Sequence, residues 1–233
     1  MFEGVFTLFL KSGIISNNHK KVLLREMTIN DLRNKAKDYP LFKLEDVFKW
    51  FPQAKRNTTL NQLRDWSKLG YLQGLKRGIY KLSDFEIEEP FIVANFIYSP
   101  SYISLETALN YYSLIPDIPF QTTSITTLKT NSFEIKNYGV FSYSHLKPDL
   151  FFGYETIKGD KQYVYNIALP EKALFDYLYL SSKRMKLSES FIEGLRLSIP
   201  TNFDWKKIRK WLKFAHLSNE FNLMIERLIQ KYA

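Results

Sequence analysis

Residues 42–82 read FKLEDVFKWFPQAKRNTTLNQLRDWSKLGYLQGLKRGIYKL, a pattern of helix, turn, second helix and two-stranded hairpin. The first helix is expected at residues 42–51. The second is expected to begin at residues 57–59, where Asn57 or Thr58 would cap it, and to end at Gly70. Its apolar residues recur every third position and are expected to face the core. They are Leu60, Leu63, Trp66 and Leu69. This order of elements predicts a winged helix-turn-helix.

The other face of the second helix is polar and carries groups that can bond base edges or phosphates. The predicted hairpin has a cationic tip at Lys76 and Arg77, which suits the DNA backbone. A polar helix face alone is often only solvated, so the prediction depends on helix, glycine, hairpin and basic tip together. The predicted DNA contacts are Lys55, Arg56, Thr58, Thr59, Asn61, Gln62, Arg64, Lys68, Lys76 and Arg77.

Charge is distributed unevenly along the 233 residues, whose formal net charge is +9. Residues 1–85 carry 16 Lys/Arg and 8 Asp/Glu, residues 86–182 carry 6 and 11, and residues 183–233 carry 11 and 5. A basic segment followed by an acidic one is typical of a DNA-binding domain attached to a domain with another role. The chain has no cysteine, which excludes disulfides and thiolate metal sites and fits a cytoplasmic protein.

The acidic run at residues 83–90 is expected to link two domains, residues 1–85 and residues 86–233. An extension at residues 1–26 would precede the first domain, and it makes a poor signal peptide because its apolar run follows no basic residues. Strand-like runs flanked by helices predict an α+β second domain with a mainly antiparallel sheet and a helical C-terminal tail. These runs are residues 122–127, 132–135, 139–144, 150–154 and 162–168.

Four segments, in the same order along residues 40–180, carry a resemblance to a known family. They are the hairpin at residues 70–82, SPSYISLETAL with LI at residues 99–115, SITT at residues 124–127 and IALPEKALFD at residues 167–176. They resemble the AbiEi-type antitoxins, which are bacterial winged-helix regulators encoded beside toxins of abortive phage infection.

The resemblance implies two activities. The first domain would bind inverted repeats of double-stranded DNA in the promoter of its own operon and repress it. The second domain would counteract a nucleotidyltransferase-type toxin without a stable complex, the type IV arrangement of toxin–antitoxin systems. Because a lone winged helix covers little DNA, dimeric or cooperative binding is also expected.

Two other functions stay open from the sequence. A transcription factor with a ligand-sensing second domain is the first. A metal-dependent nuclease is the second, since Asp149, Glu155 and Lys158 faintly resemble a site where carboxylates hold a cation beside a lysine. Their spacing does not fit one strand face, and His19, His145 and His216 have no metal-ligand spacing. The expectation is therefore a chain that is not an enzyme, with no catalytic residue, cofactor or metal.

Two helices contain charge patterns with more than one interpretation. In the helix predicted from Pro170, Glu171 would complement the helix dipole, and Lys172 with Asp176 would form a surface pair worth a few tenths of a kcal/mol. The helix at residues 204–215 has one apolar face, with Trp205, Ile208, Trp211 and Leu212, and one basic face, a pattern that membrane-surface helices share. That basic face would be either a second phosphate contact or merely solvated. Its cations are Lys206, Lys207, Arg209, Lys210 and Lys213.

Overall fold

The computed structural model describes residues 27–39, 41–159, 163–214 and 217–232, with the side chain of residue 214 excepted. The expected extension at residues 1–26, together with His19 and His216, lies outside these ranges. The chain divides into two compact units, residues 1–85 and residues 86–233, so the boundary falls within the acidic run. None of the helices in the described ranges combines the length and hydrophobicity that crossing a bilayer requires.

The first unit contains helices around a small antiparallel sheet in which β3 is the central strand, paired with β1 and β2. Its described elements are α1 (Ile29–Ala36), β1 (Leu41–Lys43), α2 (Leu44–Trp50), α3 (Arg56–Lys68), β2 (Leu72–Lys76) and β3 (Ile79–Leu82). Leu32, Phe42, Val47 and Leu63 are buried in the core that these elements share. The sequence Thr28-Ile29-Asn30-Asp31 predicts a helix start, and this is confirmed because Thr28 and Asp31 form a capping box at the start of α1.

The second helix of the decisive pattern, α3, differs from its prediction in two ways. It begins at Arg56, and Lys55 precedes it without a side-chain cap, so the expected cap at Asn57 or Thr58 is wrong. Leu69, expected in the core, is 67% exposed. The physical reason is the helical repeat of 3.6 residues. Three residues are less than a full helical turn, so residues spaced by three shift steadily around the helix. Leu69 is the last of the series and no longer faces the core.

The second unit is an α+β structure, as predicted. Its described elements are α4 (Pro90–Ile97), β4 (Ser101–Ile103), α5 (Leu105–Tyr111), β5 (Thr122–Thr126), β6 (Asn131–Ile135), β7 (Gly139–His145), a 3₁₀ turn (Pro148–Leu150), β8 (Tyr154–Lys158), β9 (Val164–Ala168), α6 (Pro170–Ser182), α7 (Glu189–Gly194), α8 (Trp205–Phe214) and α9 (Asn219–Tyr232). The predicted helical tail is thus present, and the helix that the sequence pattern predicts at residues 219–232 is α9, with the same bounds.

A six-stranded sheet in the order β6-β7-β5-β4-β9-β8 forms the centre of this unit. Three of its pairings are antiparallel, but β4 pairs with β9, and β5 with β7, in parallel, so the sheet is mixed. The predicted strand at residues 150–154 is wrong. Leu150 closes a 3₁₀ turn that begins at Pro148, Gly153 has a φ of +72°, and the strand starts only at Tyr154.

Helix α6 is the most enclosed helix of the second unit. It buries Leu174, Phe175 and Leu178, and it also buries the charged residues Glu171, Lys172 and Asp176. The ring of Phe175 lies 5.9 Å from those of both Trp211 in α8 and Phe221 in α9. The C-terminal helices therefore pack on α6 through aromatic contacts.

Candidate functional site

The exposed side of α3 carries a continuous polar stripe. Asn57, Asn61, Arg64 and Lys68 are all exposed, and their spacings of four, three and four residues place them on one helix face. The stripe is about 16 Å long, from the rise of about 1.5 Å per residue. Arg64 has a neighbouring carboxylate in Asp65, with an Nε–Oδ1 distance of 3.3 Å. Asn57 was missed as a candidate because the sequence favoured it as a cap.

Three predicted contacts on α3 lie away from this stripe. Thr59 is only 1% exposed and belongs to the core face with Leu63, so its prediction as a DNA contact is wrong. Gln62 is half-buried, and its Nε2 donates a hydrogen bond of 2.8 Å to the carbonyl oxygen of Met27. Thr58 is also half-buried. The helical repeat turns these three residues toward the body of the unit.

The two cations at the start of α3 are exposed, as a DNA contact requires. Lys55 immediately precedes the helix, and Arg56 is its first residue. The guanidinium carbon of Arg56 lies 5.6 Å from the ring centroid of Phe48 in α2, within the range of a cation–π contact. This contact orients the side chain at the start of the helix while leaving it accessible.

The tip of the β2–β3 hairpin carries the remaining predicted cations. Arg77 is exposed and Lys76 is half-buried. Gly78 has a φ of +76°, which favours glycine, and its carbonyl oxygen accepts a hydrogen bond of 2.8 Å from the backbone N–H of Leu44. This bond fixes the hairpin to the start of α2.

Lys43 is a basic residue that sequence reasoning missed. Lys43 in β1 and Lys76 in β2 both pair with Ile79 of the central strand, which brings the two side chains to neighbouring positions. The pKa of Lys76 is lowered by burial and, secondarily, by the positive charge of Lys43. A bound anion would relieve this repulsion. No sequence signal pointed to Lys43, because the pairing joins residues more than thirty positions apart.

A second polar site lies inside the second unit. The ammonium of Lys172 pairs with Oδ1 of Asp176, and neither side chain is exposed to solvent. The hydroxyls of Tyr102 and Ser104 each donate a hydrogen bond of 2.9 Å to Oδ2 of Asp176. The predicted surface pair is therefore wrong, since sheet residues and aromatic rings cover it completely.

Aromatic rings surround the Lys172 ammonium. Nζ lies 5.0 Å from the ring centroid of Phe152, 5.5 Å from that of Phe175 and 5.6 Å from that of Tyr102. Burial lowers the pKa of Lys172 and raises that of Asp176, while their ion pair opposes both shifts. Nζ of Lys172 also donates a hydrogen bond of 3.1 Å to the Tyr102 hydroxyl. Each of the four polar groups therefore bonds at least one other member of the cluster, and the arrangement joins α6 to the β4–α5 junction.

Glu171 anchors the C-terminal helices to α6. Its side chain is 3% exposed, and Oε1 accepts hydrogen bonds of 3.0 Å from the backbone N–H of Asp204 and 3.1 Å from Nζ of Lys207. Glu171 does lie in the first turn of α6, where its charge favours the helix dipole. The contact with α8 adds a tertiary role that the sequence did not reveal.

The residues of the nuclease hypothesis do not form a carboxylate cluster. Asp149 lies in the 3₁₀ turn, while Glu155 and Lys158 are three residues apart on β8 and so point to opposite faces. Glu155 accepts a hydrogen bond of 3.4 Å from the hydroxyl of Tyr112. Among the described residues, no three His, Asp or Glu side chains are grouped so as to hold a metal ion.

Comparison of the chain with models of known protein families gave no match, and comparison with curated proteins gave none either. The features of the chain that bear on function are therefore the geometry of α3 and the hairpin and the distribution of charge.

Proposed function

We propose that the first unit is a winged helix-turn-helix that binds duplex DNA, with α3 as its recognition helix. The observation that carries this proposal is the exposed stripe of Asn57, Asn61, Arg64 and Lys68, in a unit that also has a basic hairpin tip. In this arrangement α2 and the turn before α3 hold the helix, and the hairpin is the wing. Amide and guanidinium groups bind base edges in the major groove, and lysines bind phosphates.

The individual contacts follow from side-chain chemistry. Asn57 and Asn61 suit adenine, and Arg64 suits guanine, because each presents paired groups to the major-groove edge of its base. Lys68 and Arg77 contact phosphates. Lys43 and Lys76 pair with the same residue of β3 and add positive charge to the hairpin, which makes binding sensitive to salt.

We further propose that the chain is an autoregulatory antitoxin of the AbiEi type, whose second unit counteracts a nucleotidyltransferase-type toxin in phage defence. The resemblance supports this, and so does the packing of the segments that carry it. Ser104, Thr126 and Asp176 come from three of those segments. The Thr126 hydroxyl donates a hydrogen bond of 2.7 Å to the carbonyl oxygen of Pro100, and the Ser104 hydroxyl donates one of 2.9 Å to Asp176. The three resembling segments of the second unit are therefore joined within it.

The test uses the full chain and a duplex from the promoter of its own operon. Asn61→Ala with Arg64→Ala should weaken binding roughly 100-fold or more, because each lost base contact contributes about 1–3 kcal/mol. The same double variant should lose repression of a reporter and keep toxin neutralisation. The matched control is Lys35→Ala, which removes an exposed cation from α1 and should change the affinity little.

Two outcomes contradict the proposal. If the double variant is folded by circular dichroism yet keeps operator affinity, α3 is not the recognition helix. If the folded variant loses repression and neutralisation together, the two activities do not reside in separate units.

One observation favours a second candidate, a transcription factor whose second unit senses a ligand. A groove of about 650 Å³ is lined by α9, by α7 and by the segment before α7, and its lining includes the apolar Ile192 and Leu228 and the cationic Lys186 and Arg227. This volume is typical of small-molecule sites. Release of operator DNA by an anionic metabolite, abolished by Arg227→Ala, would support this function. A nucleotidyltransferase gene next to this one would support the antitoxin.

A further inference from the structure

The loop before β5 carries apolar side chains that are exposed to water. Ile118 is 81% exposed and Phe120 is fully exposed, while Tyr111, the last residue of α5, is 45% exposed. An apolar patch that a folded domain leaves in water commonly marks an interaction surface. The loop is therefore a candidate contact surface for another molecule.

Helix α8 of the same unit has the opposite arrangement. Its apolar face is at most 9% exposed at each of Trp205, Ile208, Trp211 and Leu212. Its cations lie on the other face, where Lys207 is half-buried and the exposed residues are Lys206, Arg209, Lys210 and Lys213. A membrane-surface helix must insert its apolar face into lipid, and this face is not available. An apolar contact with a partner is therefore open to the loop before β5 and not to α8.

The exposed loop residues and Tyr111 line a pocket of about 280 Å³, which we call the aromatic pocket. Phe91 of α4 and Tyr138, immediately before β7, add two further rings to its wall. The ring centroids of Phe91 and Tyr111 lie 6.1 Å apart in an edge-on arrangement. The volume is below the range of about 300–1,000 Å³ in which most small molecules bind. The pocket therefore fits a single side chain better than a metabolite.

Contacts at two points hold the loop in place. Asp117 accepts a hydrogen bond of 2.6 Å from Nη2 of Arg196. The backbone carbonyl oxygen of Gln121 accepts a hydrogen bond of 3.2 Å from the Thr107 hydroxyl. Because these contacts already position the exposed side chains, little conformational entropy is lost from the loop when a partner binds.

Two carboxylates lie next to the rings of the aromatic pocket. Glu89 forms a hydrogen bond with the hydroxyl of Tyr165, whose ring centroid lies 5.4 Å from that of Phe91. Burial raises the pKa of Tyr138, and the negative charge of Glu86 raises it further. None of the described residues that line the pocket is itself charged. The pocket is therefore an aromatic space with negative charge at its edge.

A cation is the electrostatic complement of this arrangement. Residues 86–182 carry 6 Lys/Arg and 11 Asp/Glu, so Lys136, two positions before Tyr138, offsets only part of the negative charge. Aromatic faces attract cations, and the planar guanidinium of arginine also stacks on them. A symmetric contact between two copies of the chain would instead bring two negative edges together. An arginine of a different protein therefore fits the pocket better than a second copy does.

We propose that the aromatic pocket is a docking site for a segment of a basic partner protein. An arginine side chain of that segment enters the pocket against the rings of Tyr111 and Phe120, and a neighbouring apolar side chain covers Ile118. The carboxylates of Glu86 and Glu89 attract the guanidinium. This contact is separate from DNA binding by α3 and does not require that the chain be an antitoxin, so it adds a different kind of partner.

The experiment titrates the full chain into a fluorescently labelled peptide in which leucine and arginine alternate, and it follows the anisotropy of the label. A second peptide has citrulline in place of arginine, which keeps the shape of the side chain and removes its charge. The arginine peptide should bind at least about 10-fold more tightly, because the rings and the carboxylates attract only the charged form.

Two variants with matched controls locate the binding site. Phe120→Ala should weaken binding of the arginine peptide by about 10-fold, because the ring loses its apolar contact. Leu223→Ala, at a side chain that is 64% exposed and lies outside the pocket, should change the affinity little. Glu86→Gln should weaken binding by about 2- to 5-fold, as expected for an exposed charge pair. Glu220→Gln makes the same change of charge on α9 and should have no such effect.

Equal affinities for the two peptides overturn the proposal, and so does a Kd above about 1 mM for the arginine peptide. Unchanged binding by Phe120→Ala would show that the peptide binds elsewhere. If arginine amide alone competes as well as the unlabelled peptide does, the site takes a small cation and the proposal of a protein segment is wrong.

Sedimentation tests the remaining occupant, a second copy. If the wild type self-associates and Phe120→Ala abolishes this without changing the peptide affinity, the pocket joins two copies and the proposal is wrong. Asn61→Ala with Arg64→Ala should keep full affinity for the arginine peptide, and Phe120→Ala should keep full affinity for operator DNA. The proposals for the aromatic pocket and for α3 can therefore fail separately.

Discussion

Lys172 and Asp176 form an ion pair one turn apart on α6, with both side chains fully shielded from solvent. Removing two charges from water is costly, and the pair is tolerated because the Tyr102 and Ser104 hydroxyls complete the bonding of the carboxylate. These donors lie on β4 and at its junction with α5, more than seventy residues from Asp176. The pair is therefore a junction between distant parts of the chain.

Asp176→Asn should destabilise the protein by about 3–5 kcal/mol, because it leaves a buried ammonium without its counter-charge. Adding Lys172→Met to this variant should recover about 2 kcal/mol, since the uncompensated charge is then gone. Urea unfolding followed by circular dichroism gives both values. Asp117→Asn is the matched control. It breaks the ion pair between Asp117 and Arg196, whose side chains are each 62% exposed. This change should lower the free energy of unfolding by less than about 1 kcal/mol. Equal losses for the two single variants would contradict the assigned role.

Tyr143 should contribute to loss of stability at alkaline pH. Its hydroxyl donates a hydrogen bond of 2.6 Å to the carbonyl oxygen of Ala94, and burial raises its pKa far above the usual value near 10. Above pH 10 the unfolded phenol loses its proton while the folded one keeps it. The stabilisation is therefore complete below about pH 10 and declines as the pH rises further.

Tyr143→Phe should be less stable at pH 8 by about 1 kcal/mol, for the lost hydrogen bond. Between pH 10 and pH 11 it should lose less stability than the wild type does, by up to about 1.4 kcal/mol. Urea midpoints at pH 8, 10 and 11 measure both effects. The control is Tyr39→Phe, at a side chain that is 65% exposed. If Tyr143→Phe and the wild type show the same alkaline slope, the buried phenol does not titrate as described.

Thr59→Val should raise the free energy of unfolding by about 1 kcal/mol and leave DNA affinity unchanged. The Thr59 hydroxyl is buried without a hydrogen-bond partner among the described residues, and valine has nearly the same shape. Thr58→Val, at the half-buried neighbouring position, should bring no such gain. Chemical denaturation and operator binding test the two parts. A loss of operator affinity in stable Thr59→Val protein would show that this residue does reach DNA.

Gly70→Ala should cost about 1–2 kcal/mol. Gly70 follows α3 with a φ of +79°, and a Cβ there would meet nothing within 4 Å, so the cost comes from the backbone conformation alone. Gly74→Ala is the matched control. A Cβ at Gly74 is equally free of contacts, but its φ is not in the left-handed region, and the change should cost less than Gly70→Ala. Thermal unfolding compares the two variants, and equal shifts would rule out a conformational cost at Gly70.

Predictions from local pattern succeeded where neighbouring residues alone set the outcome. The capping box at Thr28 involves residues three apart, and the bounds of α9 follow from its own periodicity. The pattern failed at Leu69 and at residues 150–154. At Leu69 a repeat of three residues departs from the helical repeat of 3.6, so this error concerns periodicity alone. At residues 150–154 a 3₁₀ turn that begins at Pro148 takes the place of the start of a strand, and residue type did not reveal that backbone geometry.

The candidate site was predicted in part. Exposure of Asn61, Arg64 and Lys68 follows from the polar face of an amphipathic helix, which can be counted along the chain. The inward position of Thr59 follows from its spacing of four residues from Leu63, although its polar side chain favoured the other interpretation. The pairing of Lys43 beside Lys76 could not be predicted in this way, because it depends on strand register.

The sequence by itself determined the α+β class, the basic and acidic segments and the amphipathic faces of α3 and α8, because composition and periodicity are properties of adjacent residues. The tertiary structure alone decided that the Lys172–Asp176 pair is buried, and that the apolar face of α8 lies against α6. Burial depends on which distant segments cover a residue. That covering comes from strands and aromatic rings far away in the chain, so it appears only when the chain is folded.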